Sequence, residues 1–166
     1  MERQSEKKPP PEDVAQVCRS GHVVLSSLQR FPQFRKSFCE HCGAPTIDQC
    51  QVCGWPIAGL GPNSWMDGGP FKPPNYCGEC GSPFPWTETA LAAAKEYTDD
   101  LEQLSPEEKD ALKSTFADLT SDTARTPLAA SRFTKFTNKI GPVASSILQK
   151  IIETVLTEAA KKSIGL

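Results

Sequence analysis

The sequence predicts a small metal-bound module followed by an all-α region, α+β overall with little strand. Three observations predict it. All seven cysteines of the 166-residue chain lie between positions 18 and 80, and six of them form three C-x-x-C pairs. The stretch after residue 86 has no cysteine and only two glycines. That stretch repeats apolar residues at helical spacing. The length suits one ordinary domain or two small ones.

The chain opens with MERQSEKKPPPEDVAQ, which mixes charges with prolines and has no apolar stretch of the kind a secretory signal requires. Residues 1–16 read as a disordered arm. No run of eighteen apolar residues occurs, so no transmembrane segment is expected. The net charge of −2 predicts no strong general attraction to nucleic acid or anionic membrane. A secreted disulfide scaffold fits poorly, because the cysteine count is odd and each pair is spaced like a metal knuckle. Reduced cysteines imply a reducing compartment, hence a cytoplasmic protein.

Residues 17–86 form the cysteine-bearing segment. Three turns share the pattern C-x-x-C-G: Cys39–Gly43, Cys50–Gly54 and Cys77–Gly81. In such a turn glycine tolerates positive φ and lets backbone N–H groups approach the thiolates. Six cysteines fill one and a half tetrahedral sites, so a further pair is needed. Cys18 and His22 supply it, spaced C-x3-H with Gly21 in the turn. The expected ligands are Cys18, His22, Cys39, Cys42, Cys50, Cys53, Cys77 and Cys80, holding two structural Zn2+ ions. His41 is expected to stay free.

Three pairings are open. Sequential pairing joins Cys18, His22, Cys39 and Cys42 on one ion, with the remaining four on the other. Nested pairing joins the two middle turns, and a cross-brace alternates them. Sequential pairing is the expectation, with VVLSSL and FRKSF as hairpin arms around Phe31–Gln33 and a second, long-looped hairpin between Cys53 and Cys77.

CRSGH, FCEHCGAP, CQVCGWPI and YCGECGSPFPW together resemble the double zinc ribbons common in bacterial proteins. With the helical tail, the chain resembles a bacterial family classed as a domain of unknown function. The resemblance implies zinc and a bacterial cytoplasm, and no particular reaction. The stretch at 59–75, rich in glycine and proline, departs from the ordinary ribbon pattern.

Residues 87–166 read as three or four helices. Thr87 is the expected first N-cap. Ser105, Pro106 and Glu108 spell a capping box with proline at N1. A third helix ends at Gly141, and a last one from Pro142 carries Ile147, Leu148, Ile151, Ile152, Val155, Leu156 and Ala159 on one face. Charge divides sharply, −7 over Glu88–Asp122 and +5 over Thr123–Leu166. Packing of the two blocks against each other is the expected cause.

No catalytic signature appears: no H-E-x-x-H, no phosphate loop, no G-x-S-x-G, and no deaminase pairing of H-x-E with P-C-x-x-C. The expectation is a non-enzymatic adaptor that binds another protein, with Trp65 and Phe71 in an aromatic loop as the partner surface. The alternative is a nucleic-acid-binding protein using Arg30, Arg35 and Lys36 among Phe31, Phe34 and Phe38. A weaker reading is an effector whose last helix self-associates or touches membrane.

Overall fold

The computed structural model describes residues 9–61 and 70–166. The chain divides into a unit ending at Phe84 and a second unit, Pro85–Leu166. The predicted class holds: a three-stranded sheet with two cysteine-rich clusters, then a helical region.

The sheet of the first unit is antiparallel, in the order β2-β1-β3. Its strands are β1 (Gln16–Cys18), β2 (Val23–Leu25) and β3 (Thr46–Ile47). β1 is central and wholly buried, with Val17 paired to Val23 on one side and Ile47 on the other. The Gln16 side chain extends the sheet where no regular strand forms. Its amide donates to the Lys36 carbonyl at 2.7 Å and the Thr46 hydroxyl at 2.9 Å, and its carbonyl accepts from the Lys36 N–H at 3.1 Å.

Two expectations are corrected here. Asp13–Gln16 is not part of a disordered arm. Val14 and Ala15 are buried, Ala15 N–H donates to the Ile57 carbonyl, and the Asp13 carboxylate accepts from the Val14 and Gln29 N–H groups. The charges and prolines at the start of the chain hide a short apolar strand behind them. Nor does VVLSSL pair with FRKSF. β2 pairs with β1, and Pro32–Phe34 is a 3-10 turn, because Pro32 suits the first position of such a turn and cannot donate to a ladder. The expected long-looped hairpin falls partly on residues 62–69, outside the described residues.

Among the described residues the second unit has five helices: α1 (Pro85–Asp99), α2 (Pro106–Leu119), α3 (Thr126–Ile140), α4 (Pro142–Ile152) and α5 (Glu158–Ile164). α3 packs on α2, α4 and α5, and α1 packs on α2 and α4. Phe116 of α2 and Phe133 of α3 meet edge to face, centroids 6.5 Å apart, and both are fully buried. The Ser105 capping box forms as the sequence predicts: the Glu108 N–H donates to the Ser105 hydroxyl, and the Ser105 N–H donates to the Glu108 carboxylate. Thr87 does not cap α1. The helix already starts at Pro85, whose fixed φ suits a first turn, and Thr87 is buried within it.

The single last helix of the sequence reading is two. Thr157 takes an extended conformation, sends its N–H to the Leu119 carbonyl at the end of α2 at 3.1 Å, and caps α5 through its hydroxyl. That tertiary bond replaces the intrahelical one, and the chain turns. The break keeps Val155 and Leu156 fully buried while leaving Ile147 and Ala159 exposed. The charge blocks meet across α2 and α3, where Lys139 reaches Glu108 at 2.6 Å and Arg125, just before α3, reaches Asp118 at 3.0 Å. No described helix is long and apolar enough to cross a membrane.

One position in the first unit has no room for a side chain. A Cβ on Gly59 would lie 2.4 Å from the Ser26 carbonyl oxygen and under 3 Å from the backbone of Val14 and Ala15. The crowding follows from paired backbones, since Gly59 N–H donates to the Asp13 carbonyl and Leu60 N–H to the Ser26 carbonyl. Backbone cannot swing aside as a flexible side chain can. Gly59→Ala should therefore destabilise the first unit by about 1–3 kcal/mol. Chemical denaturation of the full chain, followed by backbone NMR signals of each unit, checks this; unchanged stability of the first unit would refute the packing.

Candidate metal centres

Each cluster is built from turns of one design. In three of them the first cysteine's N–H donates to the carbonyl five residues on: Cys39 to Ala44, Cys50 to Trp55 and Cys77 to Ser82, at 2.7–2.9 Å. The glycine after the second cysteine returns its N–H to the first cysteine's carbonyl, at 2.8–2.9 Å. Gly43, Gly54 and Gly81 adopt φ of +69°, +74° and +73°, which an L side chain resists. A proline stands two residues further on, and each such proline forms an antiparallel bridge: Phe38 with Pro45, Gln49 with Pro56, Tyr76 with Pro83. The fourth turn is the β1–β2 connection, where Cys18 N–H donates to the His22 carbonyl at 2.9 Å.

The turns meet in sequential pairs. Cys18, His22, Cys39 and Cys42 form one cluster, and Cys50, Cys53, Cys77 and Cys80 form the other, with the donor atoms of each cluster all within 4.8 Å of one another. Neither the nested nor the cross-braced grouping occurs. The spacings test the fit of an ion. Metal–sulfur bonds of about 2.3 Å and metal–nitrogen bonds of about 2.05 Å in a tetrahedron give edges of about 3.8 Å between sulfurs and about 3.6 Å between sulfur and nitrogen. The Cys18–Cys42, Cys50–Cys80 and Cys53–Cys77 sulfurs are 3.7, 3.7 and 3.6 Å apart. His22 Nδ1 lies 3.5 Å from Cys18 Sγ and 3.7 Å from Cys39 Sγ. The same distances exclude disulfides, which need sulfurs at about 2.05 Å.

Electrostatics point the same way. Beside Cys42, the Ala44 N–H and then the Ser20 hydroxyl stabilise the thiolate and bring its pKa down to about 6. The Ser82 hydroxyl and N–H do the same for Cys80, also to about 6. At Cys53 the Trp55 N–H pulls downward, but desolvation and the crowding of Cys80, Cys77 and Cys50 outweigh it and push the thiol up to about 12. Four sulfurs this close cannot all ionise against one another, and a divalent cation among them removes that penalty. Both clusters can thus hold a metal ion, each with four protein donors.

The other predicted residues fall as follows. His41 belongs to neither cluster; it is exposed, its ring 5.6 Å from that of His22. Trp65 lies outside the described residues, and Phe71 is half-buried. Arg35 pairs with Asp48 at 2.7 Å, Lys36 with Glu40 at 2.8 Å, and Arg30 approaches Asp13 at 3.9 Å. Phe34 and Phe38 are exposed, and Phe31 packs loosely on Phe34 with centroids 6.3 Å apart. One feature escapes sequence reasoning: a groove of about 360 Å3 beside the second cluster, with Trp55, Tyr76, Ile57 and Phe84 in its lining. Its linear signals are Trp55, a large aromatic in a segment with little core to absorb it, and the knuckle proline Pro56.

The fold and the clusters define a two-site cysteine-knuckle protein with a helical unit. Within that class the chain belongs to a family of uncharacterised proteins conserved in bacteria, DUF2321, whose model matches residues 11–164. No curated protein and no solved structure matches it.

The sequential grouping makes the two sites separable. Cys39→Ser should lower metal content by one equivalent through the first cluster alone, and Cys53→Ser by one through the second. In the double variant the losses should add. Elemental analysis of the purified full chain measures this; a double variant that loses no more than either single one would show a single shared site.

Proposed function

We propose that the protein is a non-enzymatic zinc-binding adaptor of the bacterial cytoplasm, whose metal-stapled unit binds another protein. The observation that carries this reading is the closure of both clusters. Each offers four protein donors, and a catalytic zinc keeps a position open for water or substrate. Zinc suits the donor set, because thiolate and imidazole in a tetrahedron are its preferred structural ligands. Cys18, His22, Cys39 and Cys42 would hold one ion, and Cys50, Cys53, Cys77 and Cys80 the other. Bound there, zinc supplies a fixed cross-link between distant turns.

Protein is favoured over nucleic acid by the state of the cations. Arg30, Arg35 and Lys36 each stand beside an acidic side chain, which lowers their pull on phosphates. The exposed Phe34, Phe38 and Val52 offer apolar contact instead. Self-association through the helical unit is a further mode, since Val143 and Ile147 lie exposed on α4.

Two measurements test the reading. The purified chain should contain two equivalents of zinc and no other stoichiometric metal. A strong chelator should then erase the dispersed NMR signals of the first unit while helical circular dichroism persists. A metal-free protein with the first unit intact would refute the zinc reading. Tagged protein recovered from its own host, with and without nuclease, should retain a stoichiometric protein partner that survives nuclease. Retained nucleic acid, or partners lost on nuclease treatment, would favour the nucleic-acid reading and direct substitution to Arg30, Arg35 and Lys36.

A further inference from the structure

We propose that the groove beside the second cluster binds a proline-rich peptide segment in the polyproline II conformation. The inference rests on the adaptor reading and names the chemistry of its partner.

Three observations carry it. First, apart from the proposed ligand Cys77, none of the described residues lining the groove has an ionisable carboxylate, ammonium or guanidinium group, so among them a phosphate backbone or a charged peptide finds no counterpart. Its lining includes Trp55, Tyr76, Ile57 and Phe84, the last two almost fully buried and therefore fixed. At about 360 Å3 it accepts a few side chains rather than a helix. Second, the chain already places its own prolines there: Pro9 and Pro11, from the run Pro9–Pro11, form part of the lining. Proline rings and aromatic side chains therefore share one lining. Third, among the described residues the Trp55 indole N–H has no hydrogen-bond partner. A polyproline II segment has no internal hydrogen bonds, so its carbonyls are free to accept one. Flat aromatic faces for the rings and an indole donor for a carbonyl are the recognition elements such segments need. Proline also loses little conformational freedom on binding, which suits a shallow site.

The groove depends on the second cluster. Trp55 follows the Cys50–Gly54 turn directly, its carbonyl bonded to the Cys50 N–H, and Tyr76 precedes Cys77. Both rings are therefore placed by residues that hold the ion.

The test titrates the full zinc-loaded chain with an oligoproline peptide of about ten residues, and with a glycine/serine peptide of equal length, by calorimetry and NMR. Oligoproline should bind saturably at one site, and the glycine/serine peptide should not. The Trp55 indole N–H resonance, assigned through Trp55→Phe, should shift in step with saturation. Trp55→Ala should weaken binding about tenfold or more, and Leu128→Ala, exposed on α3, should leave it unchanged. Absence of oligoproline binding, or binding that leaves the Trp55 resonance unmoved, overturns the proposal. A host protein still retained by the Trp55→Ala variant would overturn it while leaving the adaptor reading standing. If host material proves to be nucleic acid, the adaptor reading falls instead, and oligoproline binding is then judged on its own.

Discussion

The unit ending at Phe84 depends on drawing four donor atoms to one point, twice. Its strands are only two or three residues long, and among the described residues the buried apolar ones outside the cysteines are few: Val14, Ala15, Val17, Leu28, Ile57 and Phe84. Each such side chain contributes about 1.5–3 kcal/mol at most, and that sum is offset by the conformational entropy of ordering a long, turn-rich chain. A filled structural zinc site contributes on the order of 10 kcal/mol. With both clusters filled as proposed, ion binding decides whether this unit folds, and the sheet follows from it. β1 illustrates the dependence, because its last residue is the ligand Cys18 and its hairpin turn ends at the ligand His22.

The second unit obeys a different constraint. It has no cysteine, and its order comes from an apolar centre where Leu112, Phe116, Leu119, Phe133, Leu148, Ile152, Val155 and Leu156 are all fully buried. Helix ends are set locally by Ser105 and Thr157, whose hydroxyls accept backbone N–H groups that would otherwise be orphaned. The opposed charges of α2 and α3 add register at exposed positions. Such pairs contribute little each, so they orient helices that burial already holds together.

What was legible in the sequence follows the range of the interaction concerned. The knuckles were legible because their chemistry is local: C-x-x-C-G-x-P specifies the ligands, the positive-φ glycine and the bridging proline within seven residues. The Ser105 capping box was legible for the same reason. The failures are non-local. Thr157 looks like a helix-interior residue until its N–H finds the Leu119 carbonyl, 38 positions earlier in the chain. Asp13–Gln16 looks like a polar tail until Ile57 and Gly59 lie beside it. β2 has the β-branched, apolar composition of a strand, but nothing in its sequence says that β1 rather than FRKSF is its partner. The Gln16 amide settles the matter by bonding the Lys36 backbone from the side, which removes the need for a ladder there.

The turns also do more than hold donors. Each C-x-x-C-G-x-P knuckle ends by presenting a residue and a proline to its bridge strand, and in the Cys50 turn these are Trp55 and Pro56, both in the groove lining. The position of the Trp55 ring is thus a consequence of the same backbone bond that orients Cys50. Under the proposed metal reading, metal affinity and surface shape become one equilibrium. A ligand that favours the ordered groove must also favour the ion-bound state, and the coupling runs equally in reverse. A short, metal-tightened turn can hold an aromatic ring in place without a large core beneath it. That is how a unit with six buried apolar side chains outside its cysteines, among the described residues, can carry a shaped surface at all.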